Sequence, residues 1–302
     1  MPEQPFSVTF WGVRGGYPKP GPSTNQFGGN TTCLEVRAGC HLIIIDAGTG
    51  IINLGEELIA RRQADKKPIV ATLLFTHTHH DHTQGFPFFV PSYLGSSVLY
   101  IFGPKWLHQD LEAVLARAML PPVFPVTLDE LRSLRVIRNI SESEMIVLDE
   151  PDAPPQVCNV YREECSSSEV RVRVMRSYAH PQGVFVYGIE VGGRKLVFAT
   201  DVEGYAGGDR QLIQFARGAD LLIHDAEFTS EEYLDGNPPR QGWGHSTWEM
   251  AVEVAQAAGV KNLVLTHHHA RHDDASLEDI AQQARALFPA VVVAHEGLTL
   301  KV

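Results

Sequence analysis

Four histidines and an aspartate crowd the seven residues Thr76-His77-Thr78-His79-His80-Asp81-His82. The run Thr72-Leu73-Leu74-Phe75 precedes them, so a buried strand ends in a cluster that packing alone does not select. His77 and His79 are two apart and point the same way in extended backbone. Asp81 and His82 follow in a turn and can aim at a second point nearby. Neutral imidazoles with a carboxylate suit zinc, and also manganese or iron. Three more strand ends deliver matching residues: His180 in Tyr178-Ala179-His180-Pro181, Asp201 after Leu196-Val197-Phe198-Ala199-Thr200, and His267 after Leu263-Val264-Leu265-Thr266. Together His77, His79, Asp81, His82, His180, Asp201 and His267 make seven ligands. Two metals sharing one bridging carboxylate and a bridging water need that number.

Other residues have weaker signals. Asp46 ends a buried apolar strand and is expected to orient a ligand histidine; the alternative is capping of the helix after the Gly48–Gly50 turn. His245 precedes Ser246-Thr247-Trp248-Glu249, a capping-box pattern. That places it just before a helix N-terminus, where backbone N–H groups favour a phosphate. His80 occupies a slot that alternation points away from the ligands. His268, His269 and His272 surround His267, and His224 adjoins Asp225; His224 and His269 are the candidates for contacts to the ligands or the substrate. His41, His108 and His295 read as structural or surface residues.

Such strand ends need a scaffold of sheets. Short β-branched runs alternate with helical patterns throughout, giving expected strands at 7–12, 34–37, 42–45, 69–75, 98–102, 170–177, 184–190, 195–199, 221–223, 262–265 and 291–294. Helices are expected at 51–63, 106–118, 246–258 and 277–288, the third closed by Gly259. Hairpins and crossovers both occur, so a mixed sheet or two sheets fit better than one parallel sheet. The proline- and glutamate-rich stretch 141–169 reads as a surface excursion, because candidate site residues lie on both sides of it. Residues 1–302 are therefore expected to be one domain.

The chain has 25 basic and 36 acidic side chains, a formal charge of −11, with 44% hydrophobic residues. That is the composition of an ordinary globular protein, without the basic stripe of a protein built to hold a long polyanion. Four scattered cysteines make no disulfide scaffold or zinc ribbon. The start lacks a signal pattern and no apolar run approaches the roughly 18 residues of a membrane span. A cytoplasmic, reduced protein is the expectation.

His77-x-His79-x-Asp81-His82, followed by His180, Asp201 and His267, resembles the metallo-β-lactamase superfamily. Phe10-Trp11-Gly12-Val13-Arg14-Gly15-Gly16, Gly28-Gly29-Asn30-Thr31-Thr32-Cys33 and Asp46-Ala47-Gly48-Thr49-Gly50 resemble its phosphodiesterase branch. That branch includes tRNA 3′-processing endonucleases, a cyclic ribose-phosphate phosphodiesterase and cyclic-nucleotide phosphodiesterases. The resemblance spans nearly the whole chain and is weakest across 141–169. It implies an α/β fold, an αββα sandwich of two mixed sheets flanked by helices, with a dinuclear site at one edge. It also implies that His77, His79 and His180 hold one metal, Asp81, His82 and His267 the other, and that Asp201 bridges. Ala219-Asp220-Leu221-Leu222-Ile223-His224-Asp225-Ala226-Glu227 and Gly244-His245-Ser246-Thr247 resemble a paired signature of the endonucleases. By that resemblance His245 protonates the leaving oxygen and Asp225, where those enzymes use the longer glutamate, orients it.

Asp81, His245 and Asp225 are thus the expected catalytic residues. Two divalent ions, zinc first with manganese or iron as alternatives, would hold a hydroxide in line with phosphorus. The alkoxide leaving group makes a proton donor worth roughly 10²–10⁴ in rate. The expected substrate is a cyclic nucleotide or similar small cyclic phosphodiester, and the expected assembly a homodimer without membrane contact. An RNA 3′-end ribonuclease is the alternative, disfavoured by the acidic charge and by a 141–169 stretch that lacks glycine. A broader alternative is hydrolysis of a non-phosphate ester or lactam.

Overall fold

Leu42-Ile43-Ile44-Ile45 is apolar at every position, which suits a strand only when both of its faces are covered. The computed structural model shows both coverings. It describes residues 5–106, 109–162, 168, 170–205, 207–235 and 237–302; His108, Cys165 and part of the 141–169 stretch lie outside these. In chain order, β1 (Phe6–Gly12), β2 (Cys33–Ala38), β3 (His41–Ile45), β4 (Val70–Leu74), β5 (Val98–Pro104) and β6 (Leu134–Ile140) build one sheet. A second sheet takes β7 (Glu144–Leu148), β8 (Gln156–Asn159), β9 (Val170–Ser177), β10 (Val184–Val191), β11 (Arg194–Ala199), β12 (Leu221–Asp225), β13 (Asn262–Thr266) and β14 (Val291–Val293). The chain then returns to the first sheet, where β15 (Thr299–Lys301) pairs beside β1.

Side-chain alternation sorts these strands into three cores. Ile43 and Ile45 face inward with Val8, Phe10, Phe185 and Tyr187, filling the space between the sheets. Ile44 and Leu42 face outward under α1 (Gly50–Asp65), which shares that layer with α3 (Leu111–Ala118), while α2 (His80–Thr83) is a single turn after β4. Val184 and Val186 face outward under α4 (Arg210–Ala216), α6 (Trp248–Ala258) and α7 (Asp274–Leu287); α5 (Ser230–Asp235) lies between α4 and α6 in the chain. The layers run αββα, with two mixed sheets, as expected. Gly192 and Gly193 turn β10 into β11 with φ of 55° and 84°, the sign that a tight hairpin demands of both central residues.

Parallel pairing positions the site. β3 runs parallel to β4, and β11, β12 and β13 are parallel to one another. The carboxyl ends of five strands from both sheets therefore open onto one edge of the sandwich, where ligands of α/β sheets commonly bind.

Several boundaries depart from expectation. Residues 144–148 and 156–159, expected to lie in a surface excursion, form β7 and β8 at the edge of the second sheet, and Ile146 and Leu148 join the central core. β6 reads Leu-Arg-Val-Ile-Arg-Asn-Ile, an edge strand whose charged positions hide its periodicity. α3 begins at Leu111, not near 106, because the Asp110 side chain accepts from Ala113 N–H and caps it there. Cys158 is disulfide-bonded, whereas Cys33 and Cys40 are free thiols, so the expectation of a wholly reduced chain is corrected. Among the described residues no helix is long and apolar enough to cross a membrane.

Candidate metal centre and active site

All seven expected ligands converge at the open edge. His77, His79 and His180 bring nitrogen atoms together in one group; Asp81, His82, Asp201 and His267 make a second. Asp201 faces both. Its Oδ1 lies 3.7 Å from His77 Nε2 and 3.9 Å from His180 Nε2, while Oδ2 lies 3.2 Å from His82 Nε2 and 3.4 Å from His267 Nε2. One carboxylate thus turns an oxygen to each group.

Sharp backbone turns aim these side chains. Asp46, Asp201 and His267 follow β3, β11 and β13 with φ of 61°, 54° and 61°. Non-glycine residues in this left-handed region are uncommon and gather at functional sites. Gly244, at φ 90°, brings its backbone so close to His180 that a Cβ there would lie 2.3 Å from His180 Nδ1.

The tautomers follow from the surrounding hydrogen bonds. His82 Nδ1 donates to Asp46 Oδ2 at 2.8 Å. Thr76 donates to Asp46 through its N–H and its hydroxyl, both at 2.8 Å, leaving the hydroxyl oxygen to accept from His77 Nδ1 at 3.1 Å. His180 Nδ1 donates to the Gly244 carbonyl at 3.1 Å. In the neutral imidazole each bond takes the proton on Nδ1, so Nε2 is the nitrogen left to bind a cation. Buried His77 Nε2 has no hydrogen-bond partner among the described residues. Asp46 is fully buried on these donors, so it does not cap α1.

Charge divides the two groups. Burial pushes His77 well below the usual histidine value and His180 down to about 4. Burial opposes charge on His82 and His267 too, but Asp201 and Asp81 outweigh it and hold both well above that value. Burial would likewise raise Asp81 and Asp201, yet the histidines around them hold both well below the usual carboxylate range. Unprotonated imidazole nitrogens on one side, and ionised carboxylates drawing positive charge on the other, fit a pair of divalent cations.

His245 sits beside this centre. Its Nδ1 lies 2.9 Å from Asp225 Oδ2 and 3.1 Å from Glu227 Oε2, and its ring stacks on His267 with centroids 5.1 Å apart. Burial would lower its pKa, but Glu227 and Asp225 push it up to about 9. The helix start differs from expectation. Thr247, not Ser246, caps α6 by accepting from Met250 N–H, and the Ser246 hydroxyl donates to the Val202 carbonyl. His245 therefore stands two residues before the cap, and its orientation comes from Asp225 and Glu227.

The remaining histidines separate cleanly. His80 is exposed, as alternation requires. His224 is corrected: it precedes Asp225 in β12, so it faces away from the site and hydrogen-bonds only the Asp225 carbonyl among the described residues. His268 donates to the Ala294 carbonyl at 2.9 Å, and His272 Nε2 contacts Glu232 at 2.9 Å. His269 lies farther out, its Nε2 3.9 Å from Glu227 Oε1. His41 is buried in β3, and His295 Nδ1 donates to the Glu296 carbonyl.

Three further residues that the sequence does not single out support the site. Glu227 was legible, because Asp225-x-Glu227 places two carboxylates two apart at the end of β12. Thr76, between Asp46 and His77, had no signal of its own. Glu203 accepts from Tyr233 OH at 2.5 Å, Gly242 N–H at 2.8 Å and Gly244 N–H at 2.9 Å, and so anchors the loop that carries His245.

This fold and site define a metal-dependent hydrolase of the metallo-β-lactamase fold. The chain belongs to the β-lactamase superfamily, whose domain model matches residues 41–268. Ribonuclease Z of Methanothermobacter thermautotrophicus is 30% identical over 98% of this chain and 97% of its own length. The crystal structure of human tRNase Z, short form, superposes with a TM-score of 0.62 at 20% identity, covering 97% of this chain and 98% of that one. A diphosphatase of the PhnP family superposes with a TM-score of 0.65 at 14% identity, covering 98% of each chain. These two structures share the fold.

Proposed function

We propose that the protein is a phosphodiesterase, with residues 1–302 forming a single hydrolase domain. The observation that carries this reading is His245, held by Asp225 at 2.9 Å and stacked on His267 beside the seven-residue cluster. A thiolate leaves a thioester without such a proton carrier, whereas an alkoxide leaving a phosphate gains from one. Two divalent cations, zinc first, held by His77, His79 and His180 and by Asp81, His82 and His267 with Asp201 between, would supply an activated water and neutralise phosphate oxygens. Asp225 and Glu227 take the Nδ1 side of His245, so Nε2 is the end that presents a proton to the leaving oxygen. Asp46 fixes His82 directly and His77 through Thr76.

The substrate we favour is a small cyclic phosphodiester, since a chain of charge −11 offers little to a long polyanion. A second reading, cleavage at RNA 3′ ends, is favoured by the full-length relative named Ribonuclease Z. Salt separates them. With adenosine 2′,3′-cyclic phosphate and a tRNA precursor as substrates, the small-substrate reading expects turnover of the first with shallow salt dependence. Faster turnover of the precursor, with log kcat/KM falling steeply with log salt, would establish the second reading.

A further inference from the structure

Arg240 lies one ring away from His245. Its guanidinium carbon is 5.3 Å from the Phe228 ring centroid and 4.7 Å from that of Trp243. The Phe228 ring also packs on His245 and His269, with centroid distances of 6.0 Å and 5.5 Å. Every carboxylate bound by this neighbourhood has another owner: Glu203 holds the loop, Glu232 contacts His272, and Asp225 and Glu227 face His245. Among the described residues Arg240 forms no ion pair and donates no side-chain hydrogen bond, and its Nε is buried without a partner. A permanently charged, planar group held against two rings loses little freedom on binding. Its in-plane N–H donors match the oxygens of a phosphate. The loop around it is fixed by Glu203, so the position is prepared rather than mobile. Trp243, 43% exposed beside it, offers an indole face to a base.

We propose that Arg240 is a binding residue for a second phosphate of the substrate, one that is not cleaved, with Trp243 flanking it. This rests on the phosphodiesterase reading and narrows its substrate to a phosphodiester bearing a further phosphate. A 5′-phosphorylated nucleoside cyclic phosphate and the terminal residues of an RNA both have that chemistry.

Paired compounds differing by one phosphate test it. Metal-loaded protein should turn over adenosine 2′,3′-cyclic phosphate carrying a 5′-phosphate with kcat/KM roughly 10- to 100-fold above the compound without it, as a charge-assisted bidentate contact predicts. Most of the difference should lie in KM. Arg240→Ala should bring the ratio near one, and Arg240→Lys should retain part of it; because a ratio is read, a general loss of activity cancels. A binding arm needs no turnover: adenosine 3′,5′-bisphosphate against adenosine 3′-phosphate, by calorimetry, should give the same preference and the same collapse. A wild-type ratio near one in both arms, or a preference that survives Arg240→Ala, would overturn the proposal. No hydrolysis of any phosphodiester, with the binding preference intact, would refute the phosphodiesterase reading and leave the phosphate site standing.

Discussion

Asp225→Asn should destabilise the protein as well as disturb His245. The carboxylate is fully buried and accepts four hydrogen bonds. Oδ2 takes Asp201 N–H and His245 Nδ1, each at 2.9 Å; Oδ1 takes Glu227 N–H at 3.0 Å and Ser246 N–H at 3.1 Å. Asparagine keeps a single acceptor oxygen, so in either orientation its amide group confronts two donors. Two hydrogen bonds to an ionised acceptor disappear, each worth about 1.5–3 kcal/mol, giving an expected loss of about 3–6 kcal/mol. Asp201 holds a left-handed backbone at φ 54°, so losing its N–H partner also loosens the carboxylate that faces both ligand groups. Glu227→Gln is the control. Glu227 meets His245 and His267 through its side chain and accepts no backbone donor among the described residues, so one charged contact to a histidine weakens and the loss should be about 1.5–3 kcal/mol, below that of Asp225→Asn. Urea titration of the metal-free variants measures both free energies. If Asp225→Asn unfolded within about 1 kcal/mol of the wild type, the four-bond role would be wrong.

Asp46→Asn should weaken metal affinity by roughly 10- to 100-fold, because Asp46 orients His82 directly and His77 through Thr76; competition with a chromogenic chelator measures it, and unchanged affinity would contradict that role. His245→Ala should lower kcat by roughly 10²–10⁴ on a substrate with an alkoxide leaving group and far less on bis(p-nitrophenyl) phosphate; equal losses on both would show that His245 binds phosphate instead of delivering a proton. The pKa of His245 is raised to about 9, so its acid form is present below that value and lost above it. With the alkoxide substrate, kcat should therefore fall as pH rises through about 9, and His245→Ala should lack that limb.

Much of the site was legible because its residues stand at the ends of strands buried on both faces. Such strands print continuous apolar runs, and a run that stops at Asp46, Asp201 or His267 announces a side chain the core did not choose. Alternation also placed His77 beside His79 and turned His80 outward. The same rule, applied once more, would have turned His224 away from the site and Glu227 toward it. Edge strands were the main loss in the fold: β6 exposes Leu134, Val136 and Arg138 on one face and half-buries Arg135, Ile137 and Asn139 on the other, so neither face is uniformly apolar, and β7 and β8 lie inside a stretch whose prolines and acids read as loop. Thr76 and Glu203 could not be found from the chain alone. Their roles are set by who else arrives at the same point, and the partners of Glu203 come from residues 30 or more positions away.

A dinuclear metal site with an added proton carrier should select phosphodiesters over other hydrolysable bonds. The most direct measurement compares kcat/KM for bis(p-nitrophenyl) phosphate and for nitrocefin on one preparation loaded with zinc or with manganese, beside Asp201→Ala. The expected result is hydrolysis of the phosphodiester well above that of the lactam, lost in Asp201→Ala together with bound metal. Faster opening of nitrocefin than of any phosphodiester, or full phosphodiesterase activity in Asp201→Ala, would contradict that selectivity.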